Sequence, residues 1–117
     1  MTLPRMDEFI RARTASKFPT GSSYVEFEGF DSLYIRVGRK GIRGKIRDKV
    51  VDIANVTSLE PGKGAFKTLI AHLQEKWPEH TIHVENALSQ RFQEGLKRMG
   101  FQETDVPMCF WISKESA

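Results

Sequence analysis

The stretch EPGKGAFKTL, from Glu60 to Leu69, sets Gly62 and Gly64 around Lys63 and ahead of Ala65, Phe66 and Lys67. Glycine lets a backbone turn tightly and bring its amides close to a ligand with no Cβ in the way. A helix start adds amides without intrahelical partners and a partial positive charge, which together favour anions. A phosphate site is therefore expected here, with the amides of residues 62 to 67 as donors and Lys63 or Lys67 adding charge. Two nucleotide motifs fail at a defining position. A P-loop requires glycine where Phe66 precedes Lys67-Thr68, and a dinucleotide fingerprint requires glycine where Lys67 stands. The competing reading is a glycine-rich helix start with no ligand.

Carboxylates supply the second chemistry. Asp52 in KVVDIANV and Glu26 or Glu28 in SYVEFEG are candidate general bases, acting directly or through water. Equally, they are solvated strand residues or partners for cations. His72, His80 and His83 show no ligand spacing with the single cysteine, Cys109, so no metal is expected. Cys109 itself reads as a buried strand residue. Arg36, Arg39, Lys40, Arg43, Lys45, Arg47 and Lys49 are opposed between residues 36 and 49 only by Asp48. Such a cluster attracts phosphate, an acidic protein or nucleic acid, and is as readily a solvated basic hairpin or loop. No aromatic side chain interleaves it, so base stacking on single strands is not supported.

The elements that must carry these groups follow from periodicity. Met6, Phe9 and Ile10 mark a short N-terminal helix over 4–17. SYVEFEG and LYIRVGR alternate as strands joined by a GFDS hairpin turn, with Glu26 and Glu28 in the first. Gly38, Gly41 and Gly44 break the basic stretch into an expected mobile connection. KVVDIANV is the most β-prone run, and its near-continuous apolar character predicts an interior strand. Its parity changes between Val50 and Val51, which requires either two strands or a bulge. Phe66, Leu69, Ile70, Leu73 and Trp77 share a helix face that Pro78 ends, and TIHVE is a strand. Leu88, Phe92, Leu96 and Met99 form a second helix closed by Gly100, and the tail carries two strands separated near Pro107. A strand–helix–strand unit with short links implies a right-handed parallel crossover, while the hairpins run antiparallel. The expected fold is an α+β single domain spanning 1–117, with a mixed sheet, a central β-α-β-α unit and flanking helices.

Composition narrows the class. With 39% hydrophobic and 28% charged residues, 117 residues suit one domain with one core. No apolar run approaches the roughly 18 residues of a membrane helix, and no membrane partner is expected. A lone cysteine suits a reducing, cytoplasmic setting. The oligomeric state stays open, a dimer included.

VTSLEPGKGAFKTLIAHL resembles the strand–turn–helix motif of GNAT-type N-acetyltransferases, whose loop reads [RQ]-x-x-G-x-[GA]. HVENALSQRFQEGLKRMGF resembles that superfamily's second region, where a strand ends near an asparagine and a helix runs into Gly-Phe. The resemblance spans roughly residues 22 to 112 and is most specific over 50 to 101. Pro61 stands for the motif's Arg or Gln, Phe66 for its last small residue, and Leu96 for a tyrosine that serves as acid in many members. Cys109, Ser89 or water is the substitute donor.

The resemblance implies acetyl-CoA as cosubstrate and transfer to an amine acceptor. The short N-terminal region would leave the acceptor side open, which suits a protein or peptide. It further implies that the first strand parts from the next to leave a V-shaped cleft. Val56, Thr57 and Ser58 would pair with the pantetheine arm, and the Val56 amide would polarise the thioester carbonyl. Asn86 would touch the cofactor, helix capping being the alternative. Asp52 and Glu28 are the candidate bases. A non-catalytic CoA-binding or interaction module with the same fold, and a basic nucleic-acid-binding protein, are the competing functions.

Overall fold

The computed structural model describes residues 3–16, 20–58 and 64–114 of the chain. Gly62, Lys63 and the last expected residue of the N-terminal helix lie outside them. Helix α1 (Met6–Thr14) precedes strands β1 (Gly21–Tyr24), β2 (Phe30–Ile42) and β3 (Lys45–Ser58). Then come α2 (Ala65–Lys76), β4 (Thr81–Val84), α3 (Gln90–Arg98), β5 (Gln102–Glu103) and β6 (Phe110–Ile112). This is the α+β domain that the sequence predicts. Its six-stranded mixed sheet has the order β1-β2-β3-β4-β6-β5. Among the paired strands named here, β3 and β4, joined through α2, run parallel and the other pairs antiparallel. Among the described residues, no helix is long and apolar enough to cross a membrane.

One face of the sheet is the core. Leu33, Ile35 and Val37 of β2 lie with Val51 and Ile53 of β3 and with Ile82 and Val84 of β4. Met6 and Ile10 of α1, Leu69, Ile70 and Leu73 of α2, and Leu96 of α3 join that same cluster. Each buried aliphatic side chain contributes about 1.5–3 kcal/mol, so all three helices are held to this one face. The other face carries the in-register row Arg36, Asp52, His83 and Trp111 across β2, β3, β4 and β6. A small cluster of Ile42, Val50 and Trp111 sits there, with no helix residue in it.

Two sequence expectations need correction, and one open alternative is decided. The basic stretch is not a mobile connection: it forms the distal half of the β2–β3 hairpin, closed at Arg43 (φ 53) and Gly44 (φ 77). Burial of Ile42 and Val50 against Trp111, over which the Arg47 guanidinium stacks at 4.4 Å, holds that end down. KVVDIANV lies in one strand with register shifts, the bulge alternative; Val50 and Val51 pair in step with Gly38 and Val37, and both are apolar because both faces of the sheet are buried there. Finally, β1 stops at Tyr24, so Glu26 and Glu28 leave the strand. The chain turns there to pair with the N-terminal segment: Met6 donates to the Glu26 carbonyl at 3.0 Å, and Glu26 donates to that of Pro4 at 2.8 Å.

Candidate functional site

β3 pairs with β4 only from Val50 to Ile53. The Glu85 amide donates the last bond to the Ile53 carbonyl at 3.0 Å, after which the two chains diverge. A register shift against β2 between Tyr34 and Ile35 leaves Ala54 as an extra residue at that point, and such bulges bend a strand. On the other side Asn86 adopts φ 59, and its side-chain amide donates to the Ala54 carbonyl at 3.2 Å. Beyond the divergence β3 continues to Ser58 with β2 as partner, so alternate backbone groups on its far edge face the gap.

The gap opens into a cleft of about 740 Å³ between the end of β3 and the helices α2 and α3. Asn55 and Val56 form one wall, Phe66 and Phe92 another, and Leu96 and Met99 lie on the α3 side. Gly64 begins α2 in a left-handed conformation (φ 81, ψ 12), which a β-carbon would strain. Lys67, Arg91 and Arg98, all exposed, stand around the opening and give it positive charge. The backbone edge suits an extended polar chain, the ring pair suits apolar surface, and the helix start with its cations suits phosphate.

Phe66 neither enters the centre of the core nor closes the cleft. It packs edge-to-face on Phe92 with ring centroids 5.0 Å apart, half-buried in the cleft wall. Ala65 also lines the cleft, and Thr57 is exposed farther along β3. Asn86 does not cap α3. Ser89 does, its hydroxyl accepting from the Phe92 amide at 3.1 Å.

On the opposite side of the divergence the sheet carries a compact charged group. His83 and Asp52 are registered neighbours, both 3% exposed, with Nδ1 and Oδ1 2.9 Å apart. Glu85 lies two residues beyond His83 on the same side and is also among the residues that line the cleft. Arg36 Nη1 lies 3.2 Å from both Glu85 oxygens and 3.7 Å from Asp52. Lys40 Nζ lies 3.4 Å from Glu85 and 3.9 Å from Asp52. Burial tends to raise the Asp52 pKa, but hydrogen bonds from His83 and Glu85 and the charges of His83 and Lys40 outweigh it and hold it low. Burial is the largest influence on Glu85 and raises its pKa, as do the bond to Asp52 and that neighbour's charge. The pair is thus divided into an ionised Asp52 and a more basic Glu85.

Donor atoms of Asp52, His83 and Glu85 lie within 4.8 Å of one another, a spacing open to a metal ligand set. Here Arg36 and Lys40 place positive charge on both carboxylates. Cys109 is half-buried just ahead of β6 rather than within it, and burial raises its thiol pKa.

Of the two expected bases, only Asp52 belongs to this group. Glu28 is exposed in the turn before β2, and the next residue, Gly29 (φ +94), packs so closely on α2 that a β-carbon would come 2.9 Å from that of Ala65. Sequence reasoning missed Glu85 and the His83–Asp52 pair. The signal was the alternation in TIHVE: once Ile82 and Val84 face the core, His83 and Glu85 must share the other face with Asp52. Most cations of segment 36–49 are engaged within the protein: Arg39 with Asp48 at 3.2 Å, Lys49 with Glu79 at 2.9 Å, and Arg43 with the Glu103 carbonyl at 3.1 Å. Comparison with protein-family models, curated proteins and solved structures returned no match.

Proposed function

We propose that the chain is an acetyl-CoA-dependent N-acetyltransferase with a GNAT-like fold. One observation carries this reading: β3 and β4 part at Ile53, opening a cleft suited to coenzyme A with Glu85 in its wall. The element order and the V-shaped gap agree with what the resemblance implies.

In this reading the backbone edge at Val56 and beyond aligns the pantetheine arm, and Lys67, Arg91 and Arg98 attract the phosphates. Bound acetyl-CoA supplies an acetyl thioester: the acceptor nitrogen bonds to its carbonyl carbon, the C–S bond breaks, and coenzyme A departs as the thiol. Glu85 takes the proton that the nitrogen sheds, and that proton ends on the departing sulfur. Its raised pKa suits a base that must release the proton again. Asp52, fixed by His83, keeps a negative charge beside Glu85 and sustains its basicity. The Val56 amide has the polarising role that the resemblance assigns to it.

Calorimetric titration with acetyl-CoA tests the reading. One-to-one binding is expected, weakened at least about tenfold in Gly64→Asp, which places an anion at the helix start. No binding at millimolar acetyl-CoA would refute it. A second reading, a CoA-binding module without catalysis, is favoured by Leu96. The residue at the position of the family's tyrosine acid is fully buried and offers no proton. Thiol release with candidate amines separates the two.

A further inference from the structure

We propose that the acceptor is a small zwitterion of the α-amino-acid type, a primary amine with a carboxylate on the adjacent carbon. It would bind in the groove between β1, β2 and β3 on the face opposite the helices. This rests on the acetyltransferase reading and adds the substrate class to it.

The groove has a volume of about 280 Å³ and is lined by Ser22, Arg36, Gly38, Arg39, Lys40 and Asp52, among others. That is near the lower limit for small-molecule sites, so it suits a compact acceptor rather than a folded protein surface. Asp52 belongs to the groove, and Glu85 belongs to the cleft. Their carboxylate oxygens lie within 4.8 Å of each other, so this pair links the linings of the two cavities. An amine at that junction would stand between its acceptor groove and the acyl donor.

Charge decides the class. Two carboxylates, Asp52 and Glu85, are matched by two cations, Arg36 and Lys40, with every contact between 3.2 and 3.9 Å. A bare ammonium that took the carboxylates would leave a displaced guanidinium or ammonium without its partner. A bare anion that took Arg36 and Lys40 would leave Asp52, 3% exposed, without two of its counter-charges. A zwitterion exchanges pair for pair. Its amine takes over the carboxylates, and its carboxylate receives the released cations, Arg36 in bidentate fashion. Arg36 and Lys40 can follow, being 52% and 32% exposed along their side chains. Asp52 and His83 are buried and stay in place.

The test is direct binding, with no turnover required. Amide ¹H–¹⁵N spectra of the whole chain are titrated with each of the twenty proteinogenic α-amino acids, and with the carboxamide and decarboxylated amine of any that bind. At least one amino acid is expected to shift Ser22, Gly38 and Asp52, with both analogues and the Arg36→Gln variant binding about tenfold more weakly. The proposal falls if no amino acid shifts these residues at 10 mM (about the weakest affinity worth detecting). It also falls if the amide or the amine binds as well as the acid. A separate acetyl-CoA titration, read at Gly64, Phe92 and Gly95 in the cleft, keeps the two readings apart. Acetyl-CoA binding without amino-acid binding overturns only the acceptor class, and the reverse overturns the transferase and with it the acceptor role, leaving an amino-acid site.

Discussion

Two histidine–aspartate pairs in this molecule have nearly the same geometry and opposite surroundings. His72 Nε2 lies 2.7 Å from Asp7 Oδ2, and His83 Nδ1 lies 2.9 Å from Asp52 Oδ1. Asp7 spends its second oxygen on the Trp77 indole, which donates at 2.9 Å. Phe27 packs its ring on His72 at 5.0 Å, and the Arg11 guanidinium lies 5.7 Å from the Trp77 ring centre. The contacts there are donors, a cation and rings, and the pair ties α1 to the C-terminal half of α2. Asp52 instead shares its site with a second carboxylate and two cations, and the two acids belong to the linings of two different cavities. A carboxylate ringed by donors is a fastening. One forced to share charge with another acid is the candidate for chemistry.

Breaking each pair should separate the roles. Glu85→Gln is expected to lower acetyl transfer by about 10²- to 10⁴-fold, the usual worth of a general base, with no loss of thermal stability at neutral pH. An equal rate in the variant would remove Glu85 from the mechanism. Asp52→Ala leaves His83 buried without its partner and should cost about 3 kcal/mol of stability, read from denaturant midpoints. Asp7→Asn should cost about 1.5–3 kcal/mol, the range for a bond to a charged group, and leave acetyl-CoA binding unaltered. A loss of binding in that variant would erase the distinction between the pairs.

Acid sharpens it further. Partial burial acts to raise the Asp7 pKa, but hydrogen bonds from Trp77 and His72 and the charges of His72 and Arg11 prevail and depress it. The stability it contributes is therefore full above its ordinary value of 3.8 and is lost as pH falls through the depressed one. The gap between wild type and Asp7→Asn should close on acidification. Glu85 has the opposite sign. Its raised value means that the folded state holds the proton longer, so its contribution is present below 4.5 and lost as pH rises through the raised value. Wild type and Glu85→Gln should diverge in stability on that rise, in the direction that favours Gln. The smallest effect is expected of Ser89→Ala, about 1 kcal/mol from the lost cap of α3.

Element order, the parallel β3–β4 crossover and the faces of α2 and α3 were legible because each rests on local periodicity. Phe66 to Trp77 and Leu88 to Met99 repeat at helical spacing whatever surrounds them. The ends of β1 and the basic hairpin were not legible, because distant groups decide them. Pairing with Pro4 and Met6 ends β1 at Tyr24, and Trp111 holds down the hairpin through Ile42 and Val50. The site divides in the same way. Asp52, Val56, Gly64, Phe66, Lys67 and Asn86 could be named from motif and spacing, whereas Glu85 gains its role only from the register that sets β4 beside β3. Asn86 was read as contact or cap; Ser89, three residues before the amide it holds, is the cap.

The central claim is that the gap between β3 and β4 receives the acyl donor and delivers it to Glu85. The most direct measurement is an amide ¹H–¹⁵N titration with acetyl-CoA. Saturable shifts should concentrate at Asn55 and Val56, Gly64 to Lys67, and Glu85 to Phe92. Shifts confined to the basic hairpin between residues 36 and 49, or none at all, would contradict it.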